Sequence, residues 1–461
     1  MKTLIACFLF VSSAAFAIPD ALDRYIESQL KQRNVPGLSL AVARDGQIER
    51  AKGYGLADVE LNVPATVRTV YQWASVSKQF TAEAIMLLAR DGKLRLDDPI
   101  AKHYPDAPEA WSKVTIRHLL NHTSGIKSYT SVPNFFGTIR KDYKPDELIG
   151  LVRDLPLEFE PGDKWNYNNT GYYLLGLVIE KVSGKSYGEF LAERIFKPIG
   201  MTTARVNHQF EIIPDRATGY DNRSNSLWRS EFVSPTQPFS AGALVGTVLD
   251  LVKWDAALYT DKLLPTSDRQ EMWTPTKLND GKTTPYGYGW QTGDIRGHRY
   301  VAHGGGIHGF STYILRLLDD KLTVIVLMNA GSSPETIARA VAGQYVNGIT
   351  LATLDPKPDL KPELTKRLEK CLAELAETKE SEMLTDEFRR DFSRSRRRHG
   401  NIVDDIKDKK SFTFVTSENT QSGNTNITRL ASYRLATAKG ARFYTFGLTP
   451  DDKIASLETE E

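Results

Sequence analysis

The stretch Ala74-Ser75-Val76-Ser77-Lys78-Gln79-Phe80 is followed at once by apolar residues at helical spacing, Ile85, Leu88 and Ala89. Positions three apart on a helix share a face, so Ser75 and Lys78 can set a hydroxyl beside an amine. A serine hydroxyl alone is a weak nucleophile. A buried lysine, its pKa lowered by desolvation and by a cationic or phenolic neighbour, can accept the hydroxyl proton. The start of the helix adds backbone N–H groups suited to a developing oxyanion. Ser-x-x-Lys also arises by chance, and its bland alternative is Ser75 as a helix cap with Lys78 in solvent.

Two further stretches carry chemistry. Trp165-Asn166-Tyr167-Asn168-Asn169-Thr170-Gly171-Tyr172 is a polar aromatic turn opening an apolar helix. A phenol there can relay protons, and an asparagine amide can orient a substrate carbonyl and a lysine together. His303-Gly304-Gly305-Gly306 precedes the apolar run 310–317. Its small residues let an extended substrate lie along an exposed strand edge. The bland alternatives are a capping turn and a plain turn.

Around these stretches, apolar runs at 38–43 and 48–54 flank Arg44-Asp45-Gly46 and read as a hairpin. The runs 300–302, 310–317 and 322–328 read as neighbouring antiparallel strands, with helical segments at 77–91, 116–120 and 172–182 between the two groups. The prediction is an α+β fold: an antiparallel sheet built from both ends of one unit, flanked by helices, with an inserted all-helical region. That unit spans residues 18–350. Asp355-Pro356-Lys357-Pro358-Asp359 marks a linker at 351–361, because its prolines forbid a continuing helix and a central strand. Residues 362–461 then form a small C-terminal α+β domain, with a helix striped by Leu364, Leu368, Cys371, Leu372 and Leu375 and strand-like runs at 411–416, 428–436 and 442–448.

The 461 residues are 41% hydrophobic and 25% charged, the balance of an ordinary globular chain of two units. A formal net charge of +2 gives no global field for nucleic acid or an anionic membrane. The arginine-rich run at 394–398 lies among acidic residues and reads as a solvated face. Residues 1–17 read as a signal peptide: Lys2 is the basic head, 4–11 the apolar stretch, and Ala15-Phe16-Ala17 the cleavage site. Cys7 falls too early in that stretch for lipidation. The mature chain is therefore expected to be exported, periplasmic or secreted, with no membrane span. It would keep Cys371 alone, which rules out an internal disulfide.

Ser-x-x-Lys, Tyr-x-Asn and His-x-Gly in this order resemble the serine beta-lactamase and penicillin-binding protein superfamily, in its class C beta-lactamase-like branch. That branch also holds D-alanyl-D-alanine carboxypeptidases, D-aminopeptidases and carboxylesterases. Leu119-Leu120-Asn121-His122-Thr123-Ser124-Gly125, Glu160-Pro161-Gly162 and Tyr286-Gly287-Tyr288-Gly289-Trp290 point the same way, so the resemblance covers residues 18–347. It implies Ser75 as nucleophile, Lys78 and Tyr167 as general base and acid, and Asn169, His303 and Gly305 as substrate-binding residues. The backbone N–H groups of Ser75 and Gly306 would form the oxyanion hole. No metal or cofactor is implied, and the partner is a small-molecule or peptide substrate. Which of Lys78 and Tyr167 is the acylation base stays open. So does the alternative of a sensor or binding protein that acylates without turnover. Beta-lactamases of this branch carry lysine where this chain has His303. That favours peptide, amide or ester substrates over β-lactams, and a histidine could gain charge near an anion as pH falls towards 6.

Three decoys have weaker context. Gly184-Lys185-Ser186-Tyr187-Gly188 fits a nucleophile elbow, but a helix precedes it, and Ser186 with Glu189 forms a capping box. Gly304-x-Gly306-x-x-Gly309 precedes a strand, so no helix start is available for a phosphate. His118 and His122 have zinc-ligand spacing, yet Leu119 stands where a zinc protease needs glutamate, so a structural role is expected.

Overall fold

The computed structural model describes residues 20–223, 226–377, 380–394, 396–419, 426–438 and 440–460, with side chains left out at 393–401. The leader at 1–17 lies outside the described residues, as do the side chains of the arginine-rich run. No described helix is long and apolar enough to cross a membrane.

The principal sheet has seven strands: β1 (Gly37–Arg44), β2 (Gln47–Asp58), β3 (Val63–Pro64), β4 (Gln291–Ile295), β5 (His298–Ile307), β6 (Phe310–Leu317) and β7 (Leu322–Met328). Their order is β4-β5-β6-β7-β1-β2-β3. The decisive pairing is β1 on β7, with Leu38 opposite Met328 and Arg44 opposite Leu322. It joins the two ends of the unit, as the sequence predicts. Asn329 locks the seam: its Oδ1 accepts from Gly37 N at 2.8 Å across 292 residues, and its Nδ2 donates to the Leu56 carbonyl at 3.0 Å.

The period-2 alternation of the central strands explains the layering. Leu38, Leu40 and Val42 pack with Val324, Val326 and Met328 against the helices Ala21–Arg33 and Pro334–Gly343. Ala41, Ala43, Ile325 and Leu327 face the other core, which holds the helices Ser77–Arg90, Asn169–Ser183 and Val248–Ala257. Strands covered on both faces read as unbroken apolar runs, which is why they were legible. The inserted region is helical in bulk, and it also holds a three-stranded pairing of Tyr71–Gln72, Leu244–Gly246 and Arg205–Val206 and a hairpin of Tyr220–Arg223 with Ser226–Arg229.

One buried ion pair ties sheet to helix. Arg316 on β6 donates through Nε to Asp255 Oδ1 at 2.6 Å, both side chains wholly buried, and Thr323 donates to the same oxygen at 2.6 Å. The guanidinium lies over Tyr259 and Trp273, 4.8 and 5.0 Å from the ring centroids.

The C-terminal domain opens with the helix Pro362–Ala376 and adds Asp386–Arg394 and Arg396–Lys407. A four-stranded antiparallel meander follows: β8 (Lys409–Asn419), β9 (Arg429–Thr437), β10 (Gly440–Leu448) and β11 (Ile454–Glu460). Its own core takes Leu364, Leu368, Cys371, Leu372 and Leu375 from the first helix. Leu351 packs on Val415 and Phe443, and Arg296 faces Glu460 at 3.5 Å, joining this domain to the main one.

Candidate active site

Trp73 begins the site. Its N–H donates to the Leu244 carbonyl at 2.9 Å, and its carbonyl accepts from Thr312 Oγ1 at 2.9 Å, so the segment is pinned between the inserted region and β6. Ala74 then turns through a positive φ of 48°, a strained value for a residue with a side chain. Residues Ala74–Val76 form one 3-10 turn that runs directly into the helix Ser77–Arg90. Ser75 therefore stands on the turn before the helix, partly exposed, and caps nothing.

Lys78 is wholly buried, which removes the solvent-facing alternative. Its Nζ lies 2.9 Å from Asn169 Oδ1, 2.8 Å from the Ala241 carbonyl and 3.1 Å from Ser75 Oγ. It also stands 4.8 Å from the centroid of the Tyr167 ring and 5.4 Å from that of Tyr172. Desolvation holds its pKa well below that of a free lysine, so the neutral amine is favoured.

Tyr167 hydrogen-bonds Ser75, and packing of protein around its hydroxyl pushes the phenol well above its usual pKa, although part of the ring meets solvent. The turn that presents it is set by His122, whose own φ is 63°. His122 Nδ1 accepts from Asn168 N at 3.1 Å, its carbonyl accepts from Asn166 N at 3.0 Å, and its ring lies 4.4 Å from that of Tyr167. Accepting at Nδ1 fixes the neutral tautomer, and burial lowers the imidazole pKa. The adjacent asparagines divide the work. Asn168 caps the helix Asn169–Ser183 by accepting from Gly171 N at 2.7 Å. Asn169 turns to Lys78 and donates through Nδ2 to Thr130 Oγ1 at 3.2 Å.

His303, on β5, sits beside this cluster, its ring 6.2 Å from that of Tyr167. Nδ1 lies 2.6 Å from the Gly304 carbonyl and Nε2 lies 2.8 Å from the Tyr286 hydroxyl. A carbonyl can only accept, so Nδ1 carries the proton and Nε2 accepts from Tyr286. Burial, and then the nearby Lys78, lower its pKa to about 3. Without an anion beside it, this ring therefore does not gain charge near pH 6. Both ring nitrogens already have partners, so the ring braces its surroundings.

The glycines after it separate into two uses. A Cβ on Gly305 would stand 2.2 Å from the Trp73 carbonyl and 2.4 Å from Thr312 Oγ1, so glycine there lets β5 close on the Ser75 turn. Gly306 faces open space, where it and Ser75 line one cavity of about 490 Å³. β4 pairs with β5 only as far as Ala302, which leaves residues 303–307 without a strand partner on that side among the described residues.

Ser75, Lys78, Tyr167, Asn169, His303, Gly305 and Gly306 are thus brought together from three distant stretches. Ser186 is not among them: its Oγ accepts from Glu189 N at 3.3 Å at an exposed helix start. His118 Nδ1 accepts from Thr115 N at 3.2 Å, so it and His122 serve separate backbone turns. Sequence reasoning missed the Ala241 carbonyl, which has no side-chain signature, and the support from Thr130. It quoted Tyr286 without a role, although an aromatic in a glycine-rich turn was the available signal. It also passed over Glu83, which is wholly buried on the Ser77–Arg90 helix with neither carboxyl oxygen partnered, and burial pushes its pKa up to about 8.

Residues 22–346 match the beta-lactamase family, and the chain belongs to it. That places it in the serine hydrolase superfamily. Penicillin-binding protein 4* of Bacillus subtilis (strain 168) is 34% identical over 316 residues, covering 64% of this chain and 69% of that protein. The D-aminopeptidase of Gluconobacter oxydans (strain 621H) is 28% identical over 308 residues, 66% of this chain and 58% of that one. Among solved structures, the octameric penicillin-binding protein homologue from Pyrococcus abyssi aligns with a TM-score of 0.65 at 25% identity, covering 95% of this chain and 94% of its own.

Proposed function

We propose that the protein hydrolyses amides, peptides or esters through an acyl-enzyme on Ser75, with D-amino-acid amides and peptides favoured over β-lactams. The observation that carries this reading is the environment of Lys78 Nζ. A neutral amine has two N–H donors and one lone pair. Asn169 Oδ1 and the Ala241 carbonyl take the two protons, which leaves the lone pair for the Ser75 hydroxyl. With the lysine pKa lowered and the Tyr167 pKa raised, Lys78 is the base and Tyr167 the acid.

Ser75 Oγ attacks the substrate carbonyl carbon and gives its proton to Lys78. The oxyanion is held by the backbone N–H groups of Ser75 and Gly306. The C–N bond breaks as Tyr167 protonates the leaving nitrogen, and Lys78 restores the phenol proton. Water then attacks the ester by the reverse path, which releases the acid and frees Ser75. Asn169 Nδ2 would leave Thr130 for the substrate amide, and the unpaired edge at 303–307 would receive an extended chain.

A neutral His303 offers no full charge to the carboxylate of a β-lactam or a peptide C-terminus, which supports the ranking of substrates. The D-aminopeptidase relative agrees with amide cleavage. The leader at 1–17 supports export to the periplasm or medium. The test is burst kinetics with a chromogenic D-amino-acid amide or ester, alongside intact-protein mass spectrometry. Steady turnover with a transient adduct on Ser75 is expected. One equivalent released and then nothing would replace the hydrolase by a sensor.

A further inference from the structure

The cavity beside Ser75 has a lopsided chemistry. Its walls are aromatic and aliphatic, with Tyr129, Phe135, Phe136, Ile139, Val233 and Phe310. Among the described residues lining it, Asp221 is the one carboxylate, and there is no lysine or arginine. Asp221 stands on the hairpin Tyr220–Arg223, which is seated firmly at the sheet end: Tyr220 bridges Ala330, and Gly219 packs on Gly309. Among the described residues its ion-pair contact is Arg223 at 3.6 Å, whose side chain is 60% exposed. Such a pair is weak and readily exchanged.

A buried glutamine lines the same cavity. Gln237 is 2% exposed, and its Nε2 donates to the carbonyls of Thr138 and Lys141 at 2.7 and 2.8 Å. Those two bonds fix the amide orientation, and they leave Oε1 without a hydrogen-bond partner. Oε1 is itself enclosed by protein, so Gln237 shapes the cavity wall and does not offer a ligand an open acceptor. A cavity with largely apolar walls, a carboxylate, and His308 but no lysine or arginine among its described lining residues favours an ammonium over a carboxylate once Arg223 is exchanged from Asp221.

We propose that Asp221 selects acyl groups bearing a free, protonated α-amine and an apolar side chain, so that the protein acts on amino-terminal amides and not on carboxyl-terminal peptide bonds. This rests on Ser75-dependent amide hydrolysis as proposed above. An α-amine, with a pKa of about 7.7–8.0, is mostly charged at pH 7, whereas its N-acetyl derivative carries neither charge nor basicity.

The experiment compares kcat/KM at pH 7 for D-phenylalanine p-nitroanilide and N-acetyl-D-phenylalanine p-nitroanilide, on wild type, Asp221→Asn and Asp221→Glu. The ratio is taken on one preparation, so incomplete folding cancels. Wild type should favour the free amine at least tenfold. Asp221→Asn should reduce the ratio to threefold or less, and Asp221→Glu should restore part of it. A wild-type ratio near one, or a ratio undiminished in Asp221→Asn, overturns the selection by Asp221 while leaving the hydrolase intact. If wild type cleaves neither substrate, or if cleavage survives Ser75→Ala, the acyl-enzyme reading falls and this inference falls with it.

Discussion

The Tyr286 hydroxyl stands 2.8 Å from Nε2 of His303 and donates to it, because Nδ1 is committed to the Gly304 carbonyl. The imidazole is thereby locked neutral within the site, with a pKa of about 3. Carboxylate-bearing and neutral substrates should then show the same relative kcat/KM between pH 7.5 and 6. A gain for the carboxylate class on acidification, absent in His303→Gln, would show that the ring takes up a proton after all.

Replacement of Ser75 by alanine should abolish turnover and labelling by a fluorophosphonate, while Ser186→Ala keeps most of both. Lys78 points its amine at the first hydroxyl, and the second only caps a helix. Intact-protein mass spectrometry decides between them, since an adduct persisting in Ser75→Ala would move the nucleophile elsewhere.

Gly305→Ala should fold but lose labelling by about 100-fold or more, because its methyl collides with the Trp73 carbonyl just before Ser75 and displaces the 3-10 turn. Gly304→Ala is the control: its Cβ would meet Tyr313 at 3.4 Å, an ordinary contact. Equal labelling rates for the two variants, with matching circular dichroism, would show that the approach of β5 to Ser75 is unimportant.

Glu83 ionises in the unfolded chain near pH 4.5 but only near 8 when folded. The folded state then binds the extra proton, so stability declines as pH rises from about 4.5 to 8. His122 and His303, both depressed, act in the opposite sense and only below about 6.5. Lys78, whose pKa burial holds down, opposes this trend across the same window, so the contrast is read between proteins: from pH 6.5 to 8 the wild-type Tm should fall relative to that of Glu83→Gln. Parallel Tm curves for the two proteins would refute the assignment.

Asp255→Ala leaves the Arg316 guanidinium charged in a dry interior, which should cost about 3–5 kcal/mol. The double variant Asp255→Ala/Arg316→Met should recover part of that loss, as read by urea denaturation. If the double variant is no more stable than the single, the arginine rests on its contacts with Tyr259 and Trp273 and not on the carboxylate.

The legible parts of this chain were those in which local sequence and final position agree. The runs 38–43, 310–317 and 322–328 are apolar because both faces of their strands are covered, and they were read correctly as strands. Ser75, Lys78, Tyr167 and His303 announced themselves through side-chain chemistry at fixed spacing. What escaped was set by distant partners. Glu83 looks like an outward-facing helical residue, and only the packing around its helix reveals its burial. The state of His303 depends on Lys78 and Tyr286, neither adjacent in sequence. In the C-terminal domain, β11 hides because acidic residues interrupt its apolar pattern.

The seam between β1 and β7 also sets how the protein can come into being. Gly37 finds Asn329 only after 292 residues of intervening chain have been made, so the sheet is dominated by contacts of high sequence separation. Loop-closure entropy must be met before that pairing returns any stability, which makes folding slow and late. A nascent chain that has not yet reached Leu322 has no partner for the outer edge of Gly37–Arg44. Ser75 is then synthesised long before the strands around it can assemble, and an incomplete chain carries its hydroxyl without the surroundings proposed to activate it.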